Sequence, residues 1–446
     1  MINSFLILIG RIISKISSIL NLGSGSTWPG HIALNLNPKF IRQTINRNPD
    51  LKVILTVGTN GKTTTSKLIK HLLEQEKIKV FYNESGANLL NGIASSIIKH
   101  STLNGSLNYD VALFEVDENI LPLMLNETEP QGLVILNLFR DQLDRYGEVN
   151  TIANKWSNAI SKLTKSILFI NGDDPKLTHI AKESKLKSYF FGLDESKMIK
   201  RDLPHDVDSV YCPSCQNKLN FKKIAYSHLG DFICPNCEFK KEKTHTFVEI
   251  KPPLPGTYNV YNTNAAALLV KKLFGIDEKK IQKYLDNFKP AFGRQEIFEI
   301  EGKKIMVLLS KNPTGFNQSI EMVMEMKQDD DNILIILNDR IPDGRDVSWI
   351  WDVDFEEFID DMDNMFISGD RTYDMALRLK YANSSKSQKS KIKSQNYNLK
   401  LKTFENLNEA IKIALEELPR NEILYILPTY SAMLEVRKIL TGKKIL

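Results

Sequence analysis

Three sets of residues in this chain have types and spacings suited to chemistry. The first is Gly58-Thr59-Asn60-Gly61-Lys62-Thr63-Thr64. Glycines let backbone N–H groups approach phosphate oxygens, and a helix opening behind them adds the positive end of its dipole. A lysine at Lys62 reaches the outer phosphates of a nucleotide, and the Thr63 hydroxyl helps hold Mg²⁺. Thr56 stands where the common GxxxxGK[ST] spacing has its first glycine, so the loop is a compact variant. The second set is Glu115 and Asp117, at the end of the apolar run before Val116. Acids that close a parallel strand face the ligand crevice. The third set is Cys212-Pro-Ser-Cys215 and Cys234-Pro-Asn-Cys237, two pairs with 18 residues between them. That spacing fits the C-x₂-C…C-x₂-C zinc pattern. Four thiolates at about 2.3 Å would fill a tetrahedral shell, which makes the expected zinc structural.

The surrounding chain supplies elements to position these groups. Residues 52–57, KVILTV, are β-rich and feed the glycine loop, and an amphipathic helix follows to about Glu76. Strand, loop and helix in that order open a βαβ unit. Further strand-like runs at 78–82, 110–116, 132–138 and 166–170 alternate with helical segments. This pattern predicts an α/β fold with a parallel sheet. Residues 205–245 interrupt it with the cysteine pairs and many lysines. Helices are expected at 259–274 and 277–288. A second alternating series then begins: strands at 303–309, 332–338, 364–368 and 422–427, helices at 316–326, 371–381 and 430–440. Residues 381–400 carry five lysines and no acid, and read as a surface loop. The expected organisation is an N-terminal helix and loop over 1–50, a nucleotide-binding domain over 51–298 with a Cys₄ insertion at 205–245, and a second Rossmann-like α/β domain over 299–446.

Composition bounds the alternatives. The 446 residues are 42% hydrophobic and 25% charged, which excludes a fully disordered or collagen-like chain and a polytopic membrane protein. A net charge of +5 is too small for this length to imply a nucleic-acid partner. Lysines 218, 222, 223, 240, 241 and 243 around the cysteines offer the only local reason to consider one. Residues 2–22 are apolar but contain Arg11 and Lys15, too early for a bilayer span of about 20 apolar residues. Leu6, Ile9, Ile13, Ile16 and Leu20 recur at helical spacing. They predict an amphipathic helix packed on its own domain, or one lying at a membrane surface. The expectation is a cytoplasmic protein, peripheral at the inner face of the membrane if the second reading holds.

The loop TVGTNGKTT resembles the ATP loop of the Mur ligase superfamily, whose members make an acyl phosphate from a carboxylate and ATP and let an amine attack it. Further segments resemble the same superfamily in the same order: FEVDE (114–118), NLFRDQLDRYGE (137–148), NGDDP (171–175), GTYNVYNTNAAA (256–267), FGRQE (292–296) and KNPTGF (311–316). The resemblance implies that Glu115 binds Mg²⁺ with Thr63, that Asn259 contacts the nucleotide, and that Arg294 lies near phosphate. Gln142 stands where the family often has a second-metal His. Many of these ligases carbamoylate a lysine near the position of Lys155.

A Mur-type core interrupted by a Cys₄ ribbon resembles the MurT family of ligase-like subunits, over essentially the whole chain from GSGSTWPG to LPTYSAM (427–433). The resemblance implies ATP, Mg²⁺ and structural Zn²⁺, and amidation of the D-glutamate α-carboxylate of the lipid II stem peptide. It also implies a GatD-type glutaminase partner that supplies ammonia. The cysteine inventory agrees, because a cysteine-type glutaminase needs a free thiolate and all four here are committed to metal. In the family an Asp of the C-terminal domain orients the partner's His, which is ordinary triad physics. The candidates are Asp352 first, then Asp346 and Asp354, in a segment with Trp349 and Trp351 that suits an interface. The competing assignment for these acids is capping of a helix that begins near Asp354. Two other functions fit fewer features: a stand-alone amino-acid ligase of the superfamily, and a zinc-ribbon binding module with a vestigial ATP site.

Overall fold

The structure is a computed structural model that describes residues 2–19, 27–83, 87–141, 149–200, 202–288, 294–328, 330–359, 364–389 and 400–442. Its first sheet is built around β1 (Lys52–Val57), flanked by β2 (Val80–Tyr82), β3 (Val111–Glu115), β4 (Gly132–Ile135), β5 (Ile167–Asn171) and β6 (Ser188–Phe191). The order is β2-β3-β1-β4-β5-β6, and every pairing is parallel. β1 reads as a continuous apolar run because both of its faces are covered. Val53, Leu55 and Val57 enter one core and Ile54 the other.

On the Val53 side lie α1 (Ile2–Ile19), α2 (Trp28–Leu36), α3 (Phe40–Asn46), α5 (Leu90–His100), α6 (Leu121–Glu127), α7 (Val149–Ile160) and α8 (Pro175–Ser184). α4 (Lys62–Gln75) and α9 (Thr257–Phe274) cover the other face, with α10 (Glu278–Leu285) beside them. Between β6 and α9 the chain makes the antiparallel hairpin β7 (Asn220–Tyr226) and β8 (Leu229–Ile233).

The second sheet has the order β13-β12-β11-β14-β10-β9. β10 (Lys303–Leu308), β11 (Asn332–Ile336), β12 (Asn364–Ser368), β13 (Lys400–Thr403) and β14 (Ile423–Pro428) are parallel, and β9 (Arg294–Ile300) is an antiparallel edge. α11 (Pro313–Met326), α12 (Phe355–Phe358) and α13 (Thr372–Lys389) pack on one face, α14 (Leu407–Glu416) and α15 (Tyr430–Thr441) on the other.

One expectation needs correction. Residues 381–389 are helical, not loop, because α13 continues through them. Met375, Leu379 and Ala382 repeat along its buried side and carry the helix on, and neither lysine nor serine breaks it. Residues 390–399 of the expected loop lie outside the described residues. The N-terminal helix forms, but it buries Leu6 and Ile7, with Ile9 and Ile13 only half-buried. The Ile16 side chain and Leu20 lie outside the described part of the structure. Strands β6, β9 and β13 have no counterpart in the sequence reading.

Candidate active site

The site forms where the sheet order reverses around β1, outside the carboxyl ends of its strands. The loop after β1 turns at Gly58 (φ +148°) and Gly61 (φ +87°). A Cβ at Gly61 would lie 2.2 Å from Asn262 Oδ1, so glycine is required both for the turn and for the close passage of α9. Asn137, just beyond β4, pins the loop from beneath: Asn60 N donates to its side chain at 2.9 Å, and its amide donates to Asn60 O at 3.0 Å.

Lys62 is buried at the start of α4. Its ammonium bonds the carbonyls of Gly58 and Thr59 and pairs with Glu118 at 3.1 Å. Burial alone would lower its pKa, but Glu118, Glu115, Asp117 and Asp141 outweigh that and hold it above the ordinary lysine value. Glu118 is also pushed upward, in its case by its own burial, against the pull of Lys62. Thr63 donates to both oxygens of Glu115, at 3.0 and 2.8 Å. A hydroxyl and a carboxylate this close form an oxygen set that fits Mg²⁺.

The second sheet closes the site. Asn312 caps α11 through Gly315 N at 2.8 Å and meets Asn60 through amide contacts of 3.2 and 3.4 Å. Lys311 pairs with Asp141 across the same gap. The N-termini of α4 and α11 thus converge on one cleft, lined from one side by Asn60, Gly61, Thr64, Asn259 and Asn262 and from the other by Lys311, Thr314 and Gln318. Two helix N-termini and a lysine facing a glycine loop suit a polyphosphate. Asn259 is buried, donates to Pro255 O and accepts from Asn262 at 3.1 Å.

Not every singled-out residue is brought here. Asp173 and Asp174 of NGDDP are buried structural groups. Asp174 caps α8, while Asp173 takes Tyr261 at 2.7 Å and Lys241 at 2.9 Å. Lys155 is exposed, 3.5 Å from Asn119 Oδ1. Arg294 opens β9, but its side chain, like Gln142, lies outside the described part of the structure. Glu118, Asn137, Asp141, Lys311 and Arg140 were not singled out in the sequence. Their partners lie far along the chain, and only the segments FEVDE, NLFRDQ and KNPTGF that contain them hinted at a role.

The C-terminal acids occupy one rim. Asp346 is exposed and accepts from Ser348 N at 2.8 Å. Asp352 is half-buried, its Oδ2 3.1 Å from Arg140 Nη1. Asp354 is buried and does not cap α12 with its side chain. It binds His205 Nδ1 at 2.6 Å and Asn317 at 2.8 Å instead.

The four cysteine sulfurs converge within 4.8 Å of one another, with Cys212–Cys237 at 3.5 Å and Cys215–Cys234 at 3.4 Å. Tetrahedral ligands at about 2.3 Å from one ion stand about 3.8 Å apart, so the set fits zinc. Each knuckle turns on a left-handed residue after its second cysteine, Gln216 (φ +63°) and Glu238 (φ +58°).

Known proteins resemble this chain along its whole length. The family profile "Mur ligase middle domain" matches residues 57–270, and "MurT ligase C-terminal" matches 309–433. The lipid II isoglutaminyl synthase (glutamine-hydrolyzing) subunit MurT of Streptococcus pneumoniae is 33% identical, over 95% of this chain and 94% of its own. The Staphylococcus aureus (strain COL) protein of the same name is 33% identical over 80% of this chain and 83% of its own. Among solved structures, MurF ligase from Thermotoga maritima in complex with ADP superposes with a TM-score of 0.60 at 16% identity, covering 92% of this chain and 83% of that one. A pseudomurein peptide ligase type C from Methanothermus fervidus gives 0.61 at 20% identity, over 88% and 78%. The fold is therefore that of the Mur ligases, and the chain belongs to the MurT family.

Proposed function

We propose that this chain is the ATP-dependent ligase subunit of a lipid II isoglutaminyl synthase in peptidoglycan synthesis. The observation that carries the reading is the Lys62–Thr63–Glu115 site, closed from the second sheet by Lys311 and the N-terminus of α11. The full-length relationship to MurT subunits supports it. The working units are those expected, 1–50, 51–298 with the insertion at 205–245, and 299–446, except that the last boundary moves ahead of β9, because Arg294–Ile300 pairs with β10 in the second sheet.

In the proposed reaction an oxygen of the D-glutamate α-carboxylate attacks the γ-phosphorus of ATP and ADP leaves. Ammonia then adds to the acyl carbon of the acyl phosphate, phosphate departs, and a proton is lost to leave the amide. Backbone N–H groups of Gly58 to Lys62 orient the phosphates, Lys62 and Lys311 offset their charge, and Asn259 borders the nucleotide. Thr63 and Glu115 would hold Mg²⁺, which supplies charge neutralisation on the phosphate oxygens. The family resemblance implies that Arg294 acts near phosphate.

Zn²⁺ on Cys212, Cys215, Cys234 and Cys237 would hold the insertion as a ribbon and take no part in the chemistry. With those thiols committed, glutamine hydrolysis belongs to a second chain, a GatD-type glutaminase, whose histidine Asp352 orients. The acceptor is lipid-borne, which places the chain at the inner face of the membrane.

The test is amidation of lipid II by the chain together with such a glutaminase, with ATP and glutamine. Lys62→Ala should lower ADP release and amide formation about a hundredfold or more while circular dichroism is unchanged. Undiminished turnover would remove the loop from the mechanism.

A further inference from the structure

The helices before β1 carry an apolar surface that the fold leaves uncovered. α1 packs inward through Leu6, Ile7 and Gly10. A Cβ at Gly10 would lie 2.9 Å from Ile98 and 3.3 Å from Pro29, and Asn37 donates to Asn3 at 2.8 Å. α2 therefore runs antiparallel along α1. The other side of α1 presents Ile2, Phe5, Leu8 and Ile12, 59%, 59%, 44% and 49% exposed, at spacings of three, three and four residues. Leu36 and Trp28 are also exposed, at the two ends of α2, beside the Asn3 and Gly10 levels of the stripe. Six large apolar side chains on two adjacent helices are more than the scatter expected of a surface with no partner.

Charge supplies an independent observation. Residues 1–49 contain Arg11, Lys15, Lys39, Arg42 and Arg47 and no Asp or Glu. All five cations are exposed, and among the described residues only Arg42 pairs with an acid, Glu127 at 3.5 Å. Their charge equals the +5 of the whole chain, so the remaining residues are neutral on balance. A second copy docked on this face would set cations against cations. An anionic lipid surface would complement both features.

We propose that α1 and α2 form a docking surface for an anionic lipid bilayer. The stripe Ile2, Phe5, Leu8 and Ile12 enters the boundary between headgroups and acyl chains, Trp28 lies at headgroup level, and Lys15 meets the anionic headgroups, while Arg11, whose guanidinium donates to Ser101 O, adds positive charge behind it. The helix lies on the bilayer and does not cross it, since no helix among the described residues is long and apolar enough to span one. The inference deepens the reading above by naming the surface that brings the chain to a lipid-borne acceptor. Its test uses neither ATP nor acceptor, so the two fail separately.

The experiment is co-flotation of the full chain with phosphatidylcholine vesicles, with and without phosphatidylglycerol. The wild-type chain should float with the phosphatidylglycerol vesicles, and added salt should release it. The triple variant Phe5→Ser, Leu8→Ser, Ile12→Ser changes exposed positions only and should weaken partition about tenfold or more. Lys15→Glu should weaken binding about tenfold on anionic vesicles alone. Circular dichroism and nucleotide binding should match wild type in both variants. Absence of flotation, or equal flotation of wild type and triple variant, overturns the proposal. So does a dimer in light scattering that the triple variant abolishes, because the stripe would then belong to a contact between copies.

Discussion

Arg140 holds three parts of the molecule with one guanidinium. Its Nε pairs with Asp208 at 2.5 Å, its Nη1 with Asp352 at 3.1 Å, and its Nη2 donates to His205 O at 3.4 Å. It lies one residue before Asp141, the partner of Lys311 in the phosphate cleft. This arrangement favours Asp352 over its neighbours for orienting a histidine from another chain. Its Oδ2 is fixed by Arg140, which leaves Oδ1 for a second donor, and the side chain stays 38% exposed. Asp354 is committed to His205 and Asn317 inside the molecule, and Asp346 is held only by its own turn. Trp351, also exposed, stands beside Asp352 and packs on Tyr381 at 5.6 Å, an aromatic pair suited to a protein contact. In the assembled complex Asp352→Asn should lower glutamine hydrolysis about a hundredfold or more, with ATP binding unchanged, because an orienting acid fixes the tautomer of its histidine. Steady-state glutaminase assays check this, and normal hydrolysis would pass the role to Asp346.

The turn end of the hairpin β7–β8 is buried in the first unit's core through Tyr226 and Leu229, but its cysteine end has a core too small to hold it folded by burial alone. Leu219, Phe232 and Phe239 gather around Cys212 and Cys234, and Phe232 stacks on Phe239 at 5.6 Å. A cluster of this size needs the metal as its staple. Cys212→Ser should therefore remove the bound zinc, about one ion per chain, and open the hairpin to protease while the parallel sheets persist. Metal analysis and limited proteolysis decide it, and an unchanged zinc content would refute the ligand set. The cysteine spacing was legible in the sequence for the same reason as the glycine loop: each packs its chemistry into a few consecutive residues. The central strands were legible because burial on both faces makes them uniform apolar runs. β9 was not, since RQEIFEI is an edge strand that mixes charged and apolar side chains. Lys62–Glu118, Lys311–Asp141 and Arg140–Asp352 were not legible either, because the first forms only once β1 and β3 lie side by side and the other two only once the two sheets face each other.

At the scale of the molecule, the two sheets and the insertion meet over a patch crowded with carboxylates. Lys311–Asp141 and Asn60–Asn312 join the sheets directly, and the stem of the insertion reaches the second sheet's unit through His205–Asp354. Asp206 sits in that stem, 2% exposed, with its Oδ1 lacking any hydrogen-bond partner among the described residues. Burial pushes its pKa up to about 6, the Thr314 hydroxyl opposes this, and Asp354 adds to it. An unfolded aspartate titrates near 3.9. Below about pH 4 the carboxyl is protonated in both states and costs nothing. As pH rises toward 6 the unfolded chain loses its proton first, so stability falls, and above 6 the folded state carries the full penalty, on the order of 2–3 kcal/mol. Asp206→Asn removes the charge while keeping the shape. It should stabilise the chain by roughly that amount at pH 7.5, and the gain should shrink steadily between about pH 6 and pH 4. Urea midpoints measured across that range test the prediction. A gain of constant size at every pH would mean that the stem is held by packing at this junction and that the buried charge has no part in setting how firmly the two halves close.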